Sequence, residues 1–371
     1  MNRFFDILGG TFNGIIILSI KEFKIITRDR LTLILAFVAP FAAYILFIYG
    51  LSLDVRNIPV SIINQDKSNI SRELIDEITK TGYFRICGNQ LPPEGGILKL
   101  DPNCRGTLWF PVDFSRHLET GIAPLFLAID GTYPLRAQTV EGYMQGMINH
   151  FNLKINSGIS PPLDLRTRSW FNEDLESVNF IVPGTLVATL MFYPALLSVL
   201  SLVGEKESGS IINLKIAPIN RFSIIMGKSI PYTVVSFASA LTMFVFAIAI
   251  GIPFRGNLTI YLLMLFLYVA STVQIGIFVS NLTNSSVSAV FITSILTILP
   301  AYLYSGFFIP INSMGMSGQI MSYLSSAGAF MKITRAEFLK GPGFVRPFDQ
   351  IYLICFLITL FIANIFLFRK R

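Results

Sequence analysis

Charge is what this chain lacks most. Only 14% of its 371 residues are Asp, Glu, Lys or Arg, against 53% hydrophobic ones, where a soluble domain carries about a quarter charged residues. The deficit is concentrated. Leu31–Leu53, Ile181–Gly204, Ser229–Phe254, Leu258–Ser280, Val287–Ile311 and Ile351–Phe368 contain no Asp, Glu, Lys, Arg or His at all. Each is near or above the ~20 apolar residues that carry an α-helix across a ~30 Å hydrocarbon layer. Six spanning helices follow, and a soluble globular fold is excluded. Spans without ionisable groups also lack the buried acids and bases through which secondary transporters couple ions to cargo.

Residues that carry chemistry are scarce too. His117 and His150 stand at no ligand spacing to a cysteine or to each other, which argues against a metal site. No Gly-x-Ser-x-Gly element occurs. Gly227-Lys228-Ser229 suggests a phosphate loop, but the position five before Gly227 is Phe222, not glycine, and no strand precedes it. The chain therefore carries no nucleotide-hydrolysing engine and no cofactor site of its own. Of the three cysteines, Cys355 lies in a span, while Cys87 and Cys104 flank a Gly/Pro-rich stretch, Gly88–Pro102. Those two either form a disulfide or remain separate thiols.

What charge there is has a pattern. Of 29 basic residues, 12 fall in Asp54–Phe180, against 15 of 22 acidic ones, so that segment is net −3 and the rest net +10. The excess is a membrane-topology signal, not a nucleic-acid surface. Arg3, Lys21, Lys24, Arg28 and Arg30 precede the first span, Lys206, Lys215, Arg221 and Lys228 lie between the second and third, and Arg369–Arg371 follow the sixth. Positive-inside placement puts these segments and both termini in the cytoplasm. The connection Asn312–Gln350 is then extracytoplasmic despite Lys332, Arg335, Lys340 and Arg346.

The expected organisation is a cytoplasmic arm over residues 1–30, a first span over 31–53, an extracytoplasmic α/β domain over 54–180, and a five-helix membrane domain over 181–371. The last includes a cytoplasmic segment at 205–228 and an outer loop at 312–350. The first span is too long for a signal-peptide core and runs into Asp54–Arg56 without a cleavage site, so it is retained. Phe12–Thr27 is either an interfacial helix at the headgroups or a ragged extension of that span. In the inserted domain, Pro59–Asn64, Gly106–Phe110, Leu125–Ile129 and Leu163–Trp170 have strand length and composition, and Ser71–Thr81, Asp113–Thr120 and Arg136–Ile155 have helical patterns.

The polar residues inside the spans are mostly Ser, Thr and Tyr, which serve chiefly as packing contacts between membrane helices. Tyr193, Gln274, Tyr302 and Tyr304 are the candidates for a translocation path. Gln274 and Asn364 carry primary amides, which in lipid require a facing helix or a cavity.

Between the second and third spans the sequence becomes specific. Glu205-Lys206-Glu207-Ser208-Gly209-Ser210 leads through Leu214 and Ala217-Pro218 to Gly227-Lys228 and Pro231. This resembles the intracellular coupling segment of type-2 ABC exporter permeases. The likeness extends to Lys21-Glu22 before the first span, Asn64-Gln65-Asp66 and Pro111-Val112-Asp113-Phe114 in the insert, and Tyr304-Ser305-Gly306-Phe307 with Arg335 near the fifth span. Asn64, Gly315 and Ser325-Ser326 depart from the family's usual acid, Pro and Pro.

The resemblance implies a dimer with a second permease copy or a paralogue. It also implies separate ATP-binding subunits that bind ATP and Mg, and Glu205, Lys206, Glu207, Gly209, Pro218, Gly227 and Lys228 as the coupling residues. It further implies export of hydrophobic, drug-like or lipid-like compounds across the inner (plasma) membrane, in contact with membrane lipid and with a periplasmic adaptor as a further partner. The competing reading is a membrane-anchored structural or receptor-like protein whose outer domain binds a partner without transport.

Overall fold

A computed structural model describes residues 2–50, 58–87, 104, 106–119, 123–129, 134–155, 177–217, 219–309 and 311–368. The expected strand Leu163–Trp170, the stretch Gly88–Pro102, Pro218 and the basic tail Arg369–Arg371 lie outside these residues. The chain forms two compact units, one of Met1–Ser52 with Ser169–Arg371 and one of Leu53–Arg168.

The first unit opens with α1 (Asn2–Arg28). Asp29 leaves helical geometry at φ −89° and ψ 110°, and its carboxylate accepts the amides of Leu31 and Thr32 at 3.1 and 3.2 Å. That is an N-cap, so α1 is a helix separate from the first span and not an extension of it. The span itself is α2 (Arg30–Leu33), a π turn (Ile34–Val38) and α3 (Ala39–Gly50).

Among the described residues, the inserted unit holds a four-stranded sheet in the order β2-β1-β3-β4. Its strands are β1 (Ile58–Asn64), β2 (Phe84–Ile86), β3 (Gly106–Phe110) and β4 (Phe126–Ile129). β1 pairs in parallel with β2 and β3, with Val60 opposite Gly106, and β3 pairs antiparallel with β4. Helices α4 (Asn69–Lys80), α5 (Phe114–Glu119) and α6 (Pro134–Ile155) complete it. The helix expected at Ser71 starts two residues earlier, because Ser68 is the cap and accepts the Ser71 amide at 3.1 Å. Ile58, Val60 and Ile62 of β1, Leu108 and Phe110 of β3, Leu74 and Ile78 of α4, and Val140, Met144 and Phe151 of α6 form one apolar core. Lys154 clamps α6 to α4 through Glu73 and Glu77, each at 2.8 Å. Cys87 and Cys104 are joined in a disulfide.

The chain returns to the first unit as α7 (Ser177–Glu207), α8 (Ile211–Ile216), α9 (Arg221–Ala249), α10 (Leu258–Leu282) and α11 (Ser286–Leu299). After α11 come a π turn (Pro300–Tyr304), α12 (Met316–Tyr323), α13 (Ser326–Arg335), a further π turn (Ala336–Lys340) and α14 (Pro347–Leu367). Among the described residues, six helices are long and apolar enough to cross a membrane: Arg30–Gly50, Val178–Glu207, Arg221–Ala249, Leu258–Leu282, Ser286–Tyr304 and Pro347–Leu367. The most buried is α7, which crosses α10 closely. A Cβ on Gly276 would lie 2.1 Å from the Ala195 carbonyl oxygen and 2.0 Å from Ser198 Oγ. Ser198 Oγ donates across that crossing to the Val273 carbonyl at 3.0 Å. Small residues let membrane helices approach until backbone and hydroxyl groups pair.

Two expectations are corrected here. The fifth span ends at Tyr304, not Ile311, because Gly306 takes φ +88° and turns the chain. The following connection is also no open loop. Ala327, Phe330, Met331 and Ile333 of α13 are core residues beside α7 and α10. Arg335 donates to the Gly306 and Phe307 carbonyls at 2.6 and 3.2 Å and stacks on Phe180. Lys332 pairs with Asp349 at 3.6 Å.

Candidate coupling site

At the end of α7, Gly209 adopts φ +72°, a left-handed conformation that L side chains rarely tolerate, and so turns the chain into α8. Leu214 of α8 packs with Leu18 of α1 and Ile224 and Ile225 of α9, whereas Ile212 and Ile216 are 55% and 76% exposed. The side chain of Asn220 then caps α9 by accepting the Ser223 amide at 2.8 Å.

The last turn of α7 carries Glu205, Lys206 and Glu207, which point to different neighbours. Glu205 joins a buried charge cluster. Its carboxylate lies 2.7 Å from Lys228 Nζ of α9 and 3.1 Å from Lys21 Nζ of α1. Lys228 also donates to Glu22 of α1 at 3.0 Å, and Glu22 accepts the Tyr232 hydroxyl at 3.2 Å. Lys228 and Glu22 are each 1% exposed. Ions at that depth persist only when paired and hydrogen-bonded, and removing one partner costs about 3–5 kcal/mol. Here two carboxylates and two ammoniums from three helices neutralise one another.

Lys206 reaches α10, where Nζ donates to the Ser280 carbonyl and, at 2.9 Å, to the Thr283 carbonyl. A cation on the unsatisfied carbonyls at a helix C-terminus is favourable by charge and dipole. Glu207 reaches the opposite kind of end. Its two carboxylate oxygens accept the Ser286 amide and hydroxyl, both at 2.6 Å, at the start of α11. Three consecutive residues thus bind four helices.

Gly227 and Lys228 have a structural reason to be adjacent. A Cβ on Gly227 would sit 2.7 Å from Leu18 Cβ, so the glycine lets α1 cross α9 closely enough for Lys228 to meet Glu22. Ser19 Oγ donates to the Gly227 carbonyl at 3.2 Å within the same crossing. The sequence offered Lys21-Glu22 only as a resemblance. Their ion-pair roles were hidden by a separation of roughly two hundred residues from their partners.

The candidate path residues do not share one set of contacts. Gln274 is buried and bonds to Ser229 of α9 at 2.8 Å, and Asn364 of α14 donates to its side-chain oxygen at 2.8 Å. Both amides therefore meet facing helices, as lipid demands. Tyr302 packs on Phe47 of α3 and on Phe307, at ring distances of 5.3 and 5.4 Å. Tyr193 contacts the neighbouring Phe192, and Tyr304 ends the π turn half-buried.

Fold and site define a polytopic helical membrane protein whose second span ends in a charge-paired junction. Residues 30–368 match the family described as ABC-2 family transporter protein. Among similar proteins, the probable multidrug ABC transporter permease YbhS of Escherichia coli K12 is 29% identical over 334 residues, covering 87% of this chain and 88% of its own length. The probable multidrug ABC transporter permease YbhR of the same strain is 27% identical, covering 86% and 88%. The inner membrane transport permease YhhJ, also from that strain, is 24% identical, covering 79% of each chain. The chain belongs to the ABC-2 transporter family and is a membrane subunit of an ABC transporter.

Proposed function

We propose that this subunit exports hydrophobic or amphipathic compounds from the cytoplasm or the inner membrane, driven by a separate ATPase subunit that binds ATP and Mg. It works as a dimer with a second copy or a paralogous permease. Both termini and the 205–228 segment face the cytoplasm, and the inserted α/β domain lies outside, where it receives cargo or a periplasmic adaptor.

One observation carries the reading. The short helix α8 leaves Ile212 and Ile216 exposed beside a junction whose side chains are bonded to α1, α9, α10 and α11. A docked subunit that grips α8 pulls on Glu205–Glu207, and that pull reaches four further helices. Glu205, Lys206 and Glu207 then transmit force from inside the membrane unit, while α8 makes the external contact.

The test is co-purification with the ATP-binding subunit. Ile212→Glu/Ile216→Glu alters only exposed positions, so membrane insertion is expected to be normal while the ATPase is lost and efflux falls to background. Full efflux with the ATPase still bound would remove α8 from the coupling path. For topology, in a Cys355→Ser background, Lys80→Cys should react with an impermeant thiol reagent on intact cells, and Ser208→Cys only after permeabilisation. Lys80 is exposed on α4.

A further inference from the structure

Helix α1 carries two stripes at helical spacing. Phe12, Ile16, Ile20 and Phe23 form an exposed apolar stripe, and Lys21, Lys24 and Arg28 form an exposed basic one beside it. Three cavities run along this surface and into the membrane unit. The first, about 800 Å³, is lined by Lys21, Lys24 and Arg28 with Ile17, Ile20 and Ile25, and by Asp29, whose carboxylate is taken up by the Leu31 and Thr32 amides, so the lining keeps an excess of positive charge. The second, about 370 Å³, lies between α1 and α9 and shares Ile20 and Lys24 with the first. The third, about 310 Å³, lies between α9, α10 and α14 and shares Ile230 and Val234 with the second. Apart from Ser229, Thr233 and Gln274, the third is lined by apolar residues.

The sequence of surfaces is cationic, then mixed, then apolar, and it proceeds from the helix that precedes the first span to the outer surface between α9, α10 and α14. Among the described residues, Lys24 and Arg28 have no carboxylate within ion-pair distance, whereas Lys21 is engaged by Glu205. We propose that this continuous groove holds one anionic phospholipid of the cytoplasmic leaflet. Its phosphate sits on Lys24 and Arg28, and its acyl chains lie over Ile230 and Val234. Charge complementarity selects the headgroup, and the mixed and the apolar cavity beyond it, which share Ile230 and Val234, give the chains a place that flat lipid-facing helices lack. The choice of leaflet rests on the topology proposed above. The contact chemistry rests on neither transport nor ATPase binding.

The experiment is lipid retention by the purified full chain, measured by native mass spectrometry after exchange into mixed micelles of phosphatidylglycerol and phosphatidylcholine. The wild-type chain is expected to retain phosphatidylglycerol preferentially, at one molecule per chain. Lys24→Ala and Arg28→Ala should each reduce that preference by about 5-fold. Val234→Trp, which fills the groove and leaves the cations in place, should lower retention of both lipids. Arg72→Ala/Lys80→Ala, two exposed cations of the inserted unit, should change nothing. Equal retention of the two lipids by the wild-type chain would overturn the proposal, as would an equal loss in the Arg72/Lys80 variant. A spontaneous Ile230→Cys disulfide between two copies in native membranes would also overturn it, by showing that a second chain fills the groove. None of these readouts involves the ATPase, so their failure is distinct from failure of the transport reading.

Discussion

Lys228 and Glu22 lie 206 positions apart in the sequence, yet form a 3.0 Å ion pair in which each side chain is 1% exposed. Lys228→Met should leave the buried Glu22 without its closest cation and Glu205 with Lys21 alone. The expected loss is about 3–5 kcal/mol. A thermal-unfolding series in detergent measures it. Glu22→Gln/Lys228→Met, which also removes one stranded charge, should recover a large part of the loss. If Lys228→Met unfolds at the wild-type temperature, the cluster contributes nothing to stability.

Gly276 is a tight packing constraint at the α7–α10 crossing, because its missing side chain admits the Ala195 carbonyl and Ser198. Gly276→Ala cannot be absorbed by a rotamer change, since backbone atoms are what it meets. Overpacking of this kind costs about 1–3 kcal/mol. Measured by the same unfolding series, Gly276→Ala should be clearly less stable than Gly204→Ala, where nothing lies within 4 Å of the added methyl.

Asp66 gives the inserted unit an acid-sensitive joint. Burial raises its pKa, but bonds from the Ser68 hydroxyl and from the Ser115 hydroxyl and amide outweigh it, and the net shift is below the ordinary value of 3.8. A carboxyl depressed on folding stabilises the fold at pH values above 3.8 and loses that contribution as pH falls through the folded value. Hydrogen exchange of β1 and α5 should therefore be faster in Asp66→Asn than in the wild-type chain at neutral pH. Below the folded value the two should converge. A constant difference across the whole range would exclude Asp66 as the joint.

The spans were legible because hydrocarbon tolerates almost nothing except apolar helix, and all six predicted stretches overlap helices of spanning length. Their ends were less legible, for two physical reasons. The third span begins at Arg221, well before Ser229, because Lys228 is neutralised by partners that hydropathy does not see. The fifth stops at Tyr304, although Phe307, Phe308 and Ile309 continue the apolar run, because hydropathy measures side chains while Gly306 turns the backbone. The basic residues after that span disturbed the positive-inside pattern for a related reason. Arg335 and Lys332 are spent on internal carbonyls and on Asp349, so they report local architecture more than topology. In the inserted unit, strands such as Gly106–Phe110 were found residue for residue from their composition. Of the candidate coupling segment, the sequence supplied which residues stand together. It did not supply what each one holds.

The last turn of α7 has a mechanical consequence. Successive residues of an α-helix are about 100° apart around its axis, so Glu205, Lys206 and Glu207 occupy most of its circumference, each held by a different neighbour. The helix end is keyed like a splined shaft. Twisting α7 about its own axis must break all three attachments together, whereas swinging it as a rigid lever can carry its neighbours along. The junction therefore transmits tilt and resists torsion.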